Sequence, residues 1–305
     1  MNRKFQWEKY SVFLISLLCL GILAFIAFIG PYLPFIDRDL STITYIMDEN
    51  RKPVIPPYGP NEDFPLGTDK AGRDLLSLIV LGAKETLFLV VVITALRYAL
   101  AIPFAFLAHK KVLAADSVLK WLNGFLSYIP TIIIVILVVN LPPLLFAEDR
   151  PFWLILVVAL SEAARAADMI KLEFDEVSSK EFITGGIAAG TTPFGMFKRY
   201  YLPFLYGKIL VYMISDLGKV MFLLGQLGFV GIFISQQFVQ MPTGLWEFVN
   251  TSISWPMLLK DAFIDIRGPI WIPFFAALFM TFSIFTFNLL SQGIKNIFAR
   301  KIRYL

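Results

Sequence analysis

The stretch EFITGGIAAGTTPFGMFKRYYLPF, residues 181–204, is punctuated by glycine and proline and carries Lys198 beside Arg199, yet it lies between long apolar runs. The chain around it is 57% hydrophobic and 16% charged, with a mean hydropathy of +0.70, far outside the range of an ordinary soluble domain. Composition therefore makes this an integral membrane protein, and residues 181–204 a polar connection between spans. The 305 residues accommodate several helices of about 20 residues, the length that crosses roughly 30 Å of hydrocarbon. A net charge of +4 without a basic stripe interleaved with aromatics excludes a nucleic-acid track. The single cysteine, Cys19, sits inside the first apolar run, so it forms no intrachain disulfide and reads as a small apolar filler.

Outward from the stretch, hydropathy predicts six spans, at 11–30, 85–108, 121–147, 151–167, 209–234 and 269–293. The first is too long for a signal peptide and has no small-x-small cleavage site, so it is read as a retained helix. Pro130, Pro142 and Pro143 interrupt the third span, and Pro269 and Pro273 open the sixth, so both are expected to be kinked or irregular. Placing the amino terminus in the cytosol puts 15 Lys and Arg residues in the inner connections and 9 in the outer ones. Six of those 9 lie in the long 31–84 loop, which weighs little in the positive-inside rule. Both termini and the quoted stretch are therefore expected in the cytosol, in a multi-pass protein of the cell membrane.

Within the stretch, Glu181 to Ala189 suit a short helix and Gly190 permits a left-handed backbone. Thr191 or Thr192 can cap a second helix whose first residue is Pro193, and Leu202-Pro203 is expected to stop it. That second helix would show Phe194 and Phe197 on one face and Lys198 and Arg199 on another. Two uses fit this pattern equally: insertion into an apolar groove on a soluble protein, or rest on lipid headgroups. In the outer loop, Gly67-Thr68-Asp69 reads as a turn and cap opening a short helix from Lys70, with Lys70 and Asp74 at i to i+4.

Of the charges that fall inside spans, three lie away from the span ends, where each costs about 2.5–3.5 kcal/mol at a helix centre. Arg97 lies near the middle of the second span, and Asp216 and Lys219 share a face of the fifth. Either Asp216 pairs with Arg97 or Lys219 within the bundle, or these groups line a path through it. Gly218, Gly225, Gly228 and Gly231 read as close helix packing. Glu162 and Arg165, within SEAARAA at 161–167, read as a helical i to i+3 pair. Catalysis finds no support: one His and one Cys build no metal cluster or Ser-His-Asp constellation, and no G-x-x-x-x-G-K-[ST] phosphate loop occurs.

Several stretches carry a family resemblance. E-F-I-T-G-G-I-A-A-G at 181–190, followed 13 residues after Gly190 by Pro203, resembles the cytoplasmic E-A-A-x-x-x-G loop of permease subunits in binding-protein-dependent ABC importers. PLGTDKAGRDLLSLIVLGAKETL, at 65–87, resembles the P-L-G-T-D-x-x-G-R-D segment of the dipeptide, oligopeptide and nickel branch (the C-type permease). FNLLSQGIKNIF at 287–298 and SWPMLLKDA at 254–262 are similar to further segments of that branch. Thr184-Gly185-Gly186 departs from Glu-Ala-Ala, removing an acidic contact and weakening the first loop helix by about 1 kcal/mol per glycine. The carboxy-terminal segment lacks the family's acidic residue after the asparagine.

The resemblance implies an all-α polytopic protein of six transmembrane helices with the type I importer permease fold. Residues 1–84 would form an amino-terminal helix and extracytoplasmic loop, and 85–305 a five-helix core with an ATPase-coupling loop at about 171–206. Glu181, Ile187, Ala188, Ala189, Gly190, Phe194, Phe197, Lys198, Leu202 and Pro203 are its expected coupling residues. Gly67, Thr68, Asp69, Gly72, Arg73 and Asp74 form the expected outer motif, a gate or scaffold for a docked binding protein. Expected partners are a homologous permease, two ATP-binding cassette subunits that bind ATP and Mg²⁺, an extracytoplasmic solute-binding protein and the lipid bilayer. The chain itself would hold no cofactor and be no enzyme. The implied cargo is di- or oligopeptide, the alternatives being nickel or another small solute on the same mechanism, or a channel or sensor that needs no ATPase.

Overall fold

The computed structural model describes residues 3–47, 52–241, 244–250 and 252–301. Helix α1 (Arg3–Phe28) is followed by a minimal hairpin, β1 (Ile46–Met47) and β2 (Pro53–Val54), and then by α2 (Leu75–His109). Next come α3 (Ala115–Ser127), α4 (Thr131–Val139), α5 (Pro142–Leu145), α6 (Arg150–Ser161), α7 (Ala163–Ser178), α8 (Glu181–Ala188) and α9 (Pro193–Met196). A π-helical turn, Phe197–Tyr201, leads into α10 (Leu202–Phe229). An antiparallel hairpin of β3 (Gln236–Gln240) and β4 (Trp246–Asn250), a 3₁₀ segment Trp255–Leu259, α11 (Ala262–Asp265) and α12 (Trp271–Lys301) complete the order. The protein is all-α: among the described residues the strands are confined to those two hairpins.

Among the described residues, four helical stretches are long and apolar enough to cross a bilayer: Tyr10–Phe28, Leu75–His109, Pro193–Phe229 and Trp271–Phe298. The expected third span is broken, Val112–Ser127 and Thr131–Val139 meeting at 98°. Pro130 causes the break, because its ring disfavours helical backbone in the residue before it. The expected fourth span contributes an apolar helix of 12 residues, α6, that stops at Glu162. The second span starts ten residues before its expected edge, since Asp74 caps α2 there, and α2 continues through Pro103 for 35 residues. At 1.5 Å per residue, α2 is about 50 Å long, more than the hydrocarbon needs, so its ends reach both aqueous layers. The sixth span is less disrupted than expected, because Pro273 falls in the first turn of α12, where a missing N–H leaves no intrahelical bond unmade.

Two cores stack along α2 and α10. The one at the Asp74 end of α2 gathers Leu75, Leu78, Ile79, Val135, Leu154, Leu224, Trp255 and Ile272. The other, at the His109 end, gathers Ala105, Leu119, Ile170, Phe174, Ile183, Met196 and Tyr201. Segment Trp255–Leu259 wedges into the first. Trp255 is fully buried, its indole Nε1 donating to the Ile79 carbonyl at 2.8 Å and its backbone N–H to Thr86 Oγ1 at 3.0 Å. Gly228 makes room: a Cβ there would lie 2.3 Å from the Pro256 carbonyl oxygen. This is the close packing expected of Gly228, and Gly225 shares it against Met280, whereas Gly231 lies beyond α10 at φ +82° with nothing within 4 Å of a Cβ position.

Candidate functional site

Residues 181–204 form a helix, a turn and a second helix. Glu181 opens α8, and Gly190 follows it with φ +71°. The Gly190 N–H donates to the Ile187 carbonyl at 2.9 Å, and the Thr191 N–H to the Gly186 carbonyl at 3.2 Å. Those two bonds are the Schellman termination, which satisfies orphan carbonyls and needs a residue content with a left-handed backbone. Thr192 caps α9, its hydroxyl accepting from the Gly195 N–H at 3.2 Å, with Pro193 in the first turn as expected. Gly186 has a packing role that the helix-propensity argument did not foresee, since a Cβ there would fall 2.8 Å from Tyr200 Cζ.

Two expectations for this segment are corrected. Leu202-Pro203 does not stop the second helix: Pro193–Phe229 passes as one candidate span of 37 residues. The widened π turn just before Pro203 accommodates a residue that lacks an N–H and crowds the preceding turn. Phe194 and Phe197 also do not share an exposed face. Phe194 is 73% exposed, whereas Phe197 packs inward with its ring 5.1 Å from Phe106 and 6.1 Å from Phe174. The outward surface is Phe194 with Ile187, 58% exposed, flanked by Glu181, Ala188, Ala189, Lys198, Leu202 and Pro203, all exposed.

Beneath this surface a polar cluster ties the π turn to the bundle. His109 Nδ1 lies 2.6 Å from Asp175 Oδ1, and His109 Nε2 lies 3.2 Å from the Tyr201 hydroxyl. Lys171 bridges Asp175 at 3.0 Å and Asp116 at 3.2 Å, linking α7 to α3. Burial pushes the Asp175 carboxyl up, but hydrogen bonds from His109 and Lys171 outweigh it and hold its pKa below the usual range. Lys208 of α10 bridges Glu173 and Glu176 of α7. Sequence spacing could have paired Lys171 with Asp175, four residues on, but not His109 with Tyr201.

The outer motif is a closed turn. Gly67 and Gly72 adopt φ +80° and +78°, and a Cβ at Gly72 would lie 2.2 Å from the Ile43 carbonyl oxygen. Thr68 is fully buried: its hydroxyl accepts from the Tyr58 N–H at 2.8 Å, and its carbonyl accepts from Trp271 Nε1 at 3.0 Å. Asp69 accepts from the backbone N–H groups of Ala71 and Arg73 and pairs with the Arg73 guanidinium at 2.6 Å. Asp74 accepts from the Ser77 N–H at 2.8 Å, capping α2. The expected short helix from Lys70 and the Lys70–Asp74 pair are therefore corrected. Lys70 instead reaches Asp261 and Asp265, each at 2.8 Å, because Asp74 is consumed by its cap. Burial disfavours the Lys70 ammonium, yet the two carboxylates overcome that and raise its pKa.

Inside the bundle the three span charges meet. Arg97, 1% exposed, donates to Asp216 Oδ2 at 3.2 Å, and Lys219 donates to Asp216 Oδ1 at 2.8 Å. Arg97 also donates to the Ala159 carbonyl at 3.3 Å and the Val158 carbonyl at 3.1 Å. Those carbonyls belong to the last turn of α6, whose orphan acceptors a cation satisfies. At the same level Arg165 pairs with Glu162 at 2.5 Å, as its spacing predicts, and donates to the Leu126 carbonyl at 2.6 Å. Thr131 donates to Glu162 as well. The break between α3 and α4 thus faces the break between α6 and α7, and the freed backbone is satisfied within the protein. Among the described residues, no group of three or more His, Cys, Asp or Glu side chains is placed to hold a metal.

No protein-family model matches the chain. The dipeptide transport system permease protein of Bacillus subtilis is 24% identical over 299 residues, covering 97% of this chain and 84% of its own length. The chain is a homologue of such permease subunits. The dipeptide transport system permease protein of Haemophilus influenzae is 22% identical over 304 residues, 98% of this chain and 94% of its own. The oligopeptide transport system permease protein of Bacillus subtilis is 20% identical over 289 residues, 95% and 86% of the two lengths. The likeness to these permeases covers nearly the whole chain.

Proposed function

We propose that this chain is the membrane-spanning permease subunit of an ATP-driven importer of di- or oligopeptides. It forms the path with a homologous partner permease and receives solute from an extracytoplasmic binding protein. ATP and Mg²⁺ are bound by two ATP-hydrolysing subunits, not by this chain. Residues 181–204 face the cytosol, as do both termini, and Phe194 and Ile187 enter a cleft on one ATPase subunit. The outer turn at 67–74 serves as the scaffold that fixes the entrance to α2.

One observation carries the mechanical part of this reading: the helix capped by Thr192 runs without a stop into α10, over Pro193–Phe229. Displacement at Phe194 is therefore transmitted along a single rod. Its far end, with Phe222, Gln226 and Phe229, lines an apolar cavity of about 630 Å³ that α11 and α12 complete. The aromatic packing of Phe197 and the His109–Tyr201 contact clamp the near end to α2 and α7, so that the segment and the bundle move together.

Co-expression with the partner permease, the ATPase subunits and the binding protein tests the reading. Purification through this chain should recover the ATPase subunits, and dipeptide should stimulate ATP hydrolysis by the reconstituted complex. A chain that purifies alone and conducts solute without ATP would overturn it.

A further inference from the structure

Lys219 stands apart from the other charges of the bundle. It lies ten residues before Phe229, about 15 Å along the axis and away from both ends of α10. Its side chain is nevertheless 59% exposed on the surface of α10, while the Asp216 carboxylate it shares with Arg97 is 4% exposed. Two cations around one carboxylate leave the cluster one positive charge in excess, and among the described residues no other carboxylate pairs with either cation. Facing lipid, such an excess would be costly, and charges at this depth are found instead on interiors and aqueous paths.

The face around Lys219 supports a path. Residues 208, 212, 215, 219, 222, 226 and 229 repeat every three or four positions, which sets them on one side of α10, and none of them is buried. Lys208 and Tyr212 are engaged by Glu173 at one end, and Phe222, Gln226 and Phe229 line the 630 Å³ cavity at the other. Lys219 is the charged group between the two, one turn from the cavity.

We propose that Lys219 lines the solute path and engages the carboxylate of the transported solute, so that this subunit itself favours solutes bearing a free carboxylate. The Arg97–Asp216 pair orients the ammonium, and the solute's carboxylate neutralises the excess charge during passage. The proposal rests on the reading of the chain as a peptide permease. A carboxylate from the partner permease would meet the same chemistry, and the test separates the two sources.

The complete importer, in proteoliposomes with one unaltered binding protein, is assayed for uptake of alanyl-alanine and of its carboxy-terminal amide. Wild type is compared with Lys219→Gln and Lys219→Arg; the first leaves Arg97 and Asp216 as a neutral pair, and assembled complex is quantified in each case. Because the binding protein is constant, its own preference cancels between variants. Losing a charge-assisted contact should lower kcat/KM for the free acid about ten- to hundredfold in Lys219→Gln, leave the amide within about twofold, and spare Lys219→Arg. An equal fall for acid and amide, or a loss of assembly, would assign Lys219 to the partner subunit and overturn the proposal, as would no change for either solute. Uptake of neither peptide by wild type would instead remove the peptide-importer reading and the proposal with it.

Discussion

The outer turn at 67–74 and the segment at 181–204 are alike in composition, polar and hinged on left-handed glycine, but the fold treats them oppositely. Around Gly72 the chain closes completely, with the Ile43 carbonyl where a Cβ would be. Around Gly190 nothing lies within 4 Å of the corresponding position. Thr68 and Asp69 are buried and hydrogen-bonded within the chain, whereas Phe194 and Ile187 project outward from a well-capped scaffold. A polar motif most of whose groups bond within its own chain acts as architecture. One that is rigid yet leaves large apolar side chains outside has the surface that the proposed coupling to an ATPase subunit requires.

The largest expected effect tests this contrast at its two glycines. Gly72→Ala should abolish recovery of folded, monodisperse protein, because a 2.2 Å contact with a backbone oxygen cannot be relieved by a side-chain shift. Gly190→Ala should cost about 1 kcal/mol, the penalty of a left-handed alanine, and leave the protein folded. Comparable thermal stabilities for the two variants in detergent would erase the distinction.

Next in size is the buried cluster. Arg97→Leu should destabilise by about 3–5 kcal/mol, chiefly because the Val158 and Ala159 carbonyls of α6 lose their donor at about 1–3 kcal/mol each, while Asp216 keeps its bond from Lys219. Exchanging the charges, Arg97→Asp with Asp216→Arg, should not restore expression, since an aspartate at 97 would face those carbonyls. Full rescue by the double exchange would mean that the pair alone matters and that α6 is held by other contacts.

Much of this was legible in the sequence. A membrane span needs only local composition, so four of the expected spans emerge as long apolar helices, and the Pro130 break was foreshadowed by proline itself. Local rules also found the Thr192 cap, Pro193 in the first turn and the Glu162–Arg165 pair. Contacts between distant segments escaped: Lys70 with Asp261 and Asp265, Trp255 with Ile79 and Thr86, and Arg97 with the end of α6 all depend on how helices pack. Phe197 was placed with Phe194 because residues three apart share a helix face only loosely, about 60° of rotation separating them, and Phe106 and Phe174, which cover it, come from distant segments.

The two phenylalanines give a smaller, paired effect. Phe197→Ala should lower stability by about 2–4 kcal/mol through loss of packing in the aromatic cluster. Phe194→Ala should stay within about 0.5 kcal/mol of wild type while reducing ATPase co-purification. Similar losses of stability in both variants would mean that Phe194 serves the fold as well. The smallest expected change is in Asp261→Asn, which removes the half-exposed Lys70–Asp261 pair, worth less than about 1 kcal/mol and readable as a slight fall in melting temperature. A loss much above that would make the link from Lys70 to Asp261 a structural brace rather than a surface contact.

The central claim is that the surface around Phe194 meets an ATPase subunit. In a Cys19→Ala background, Phe194→Cys and Ala71→Cys are compared by proximity crosslinking in the assembled importer. Adducts with the ATPase subunit from position 194, and none from position 71, are the result this account predicts. Labelling of position 194 by a membrane-impermeant thiol reagent added outside intact cells would place the segment on the other face of the membrane and contradict it.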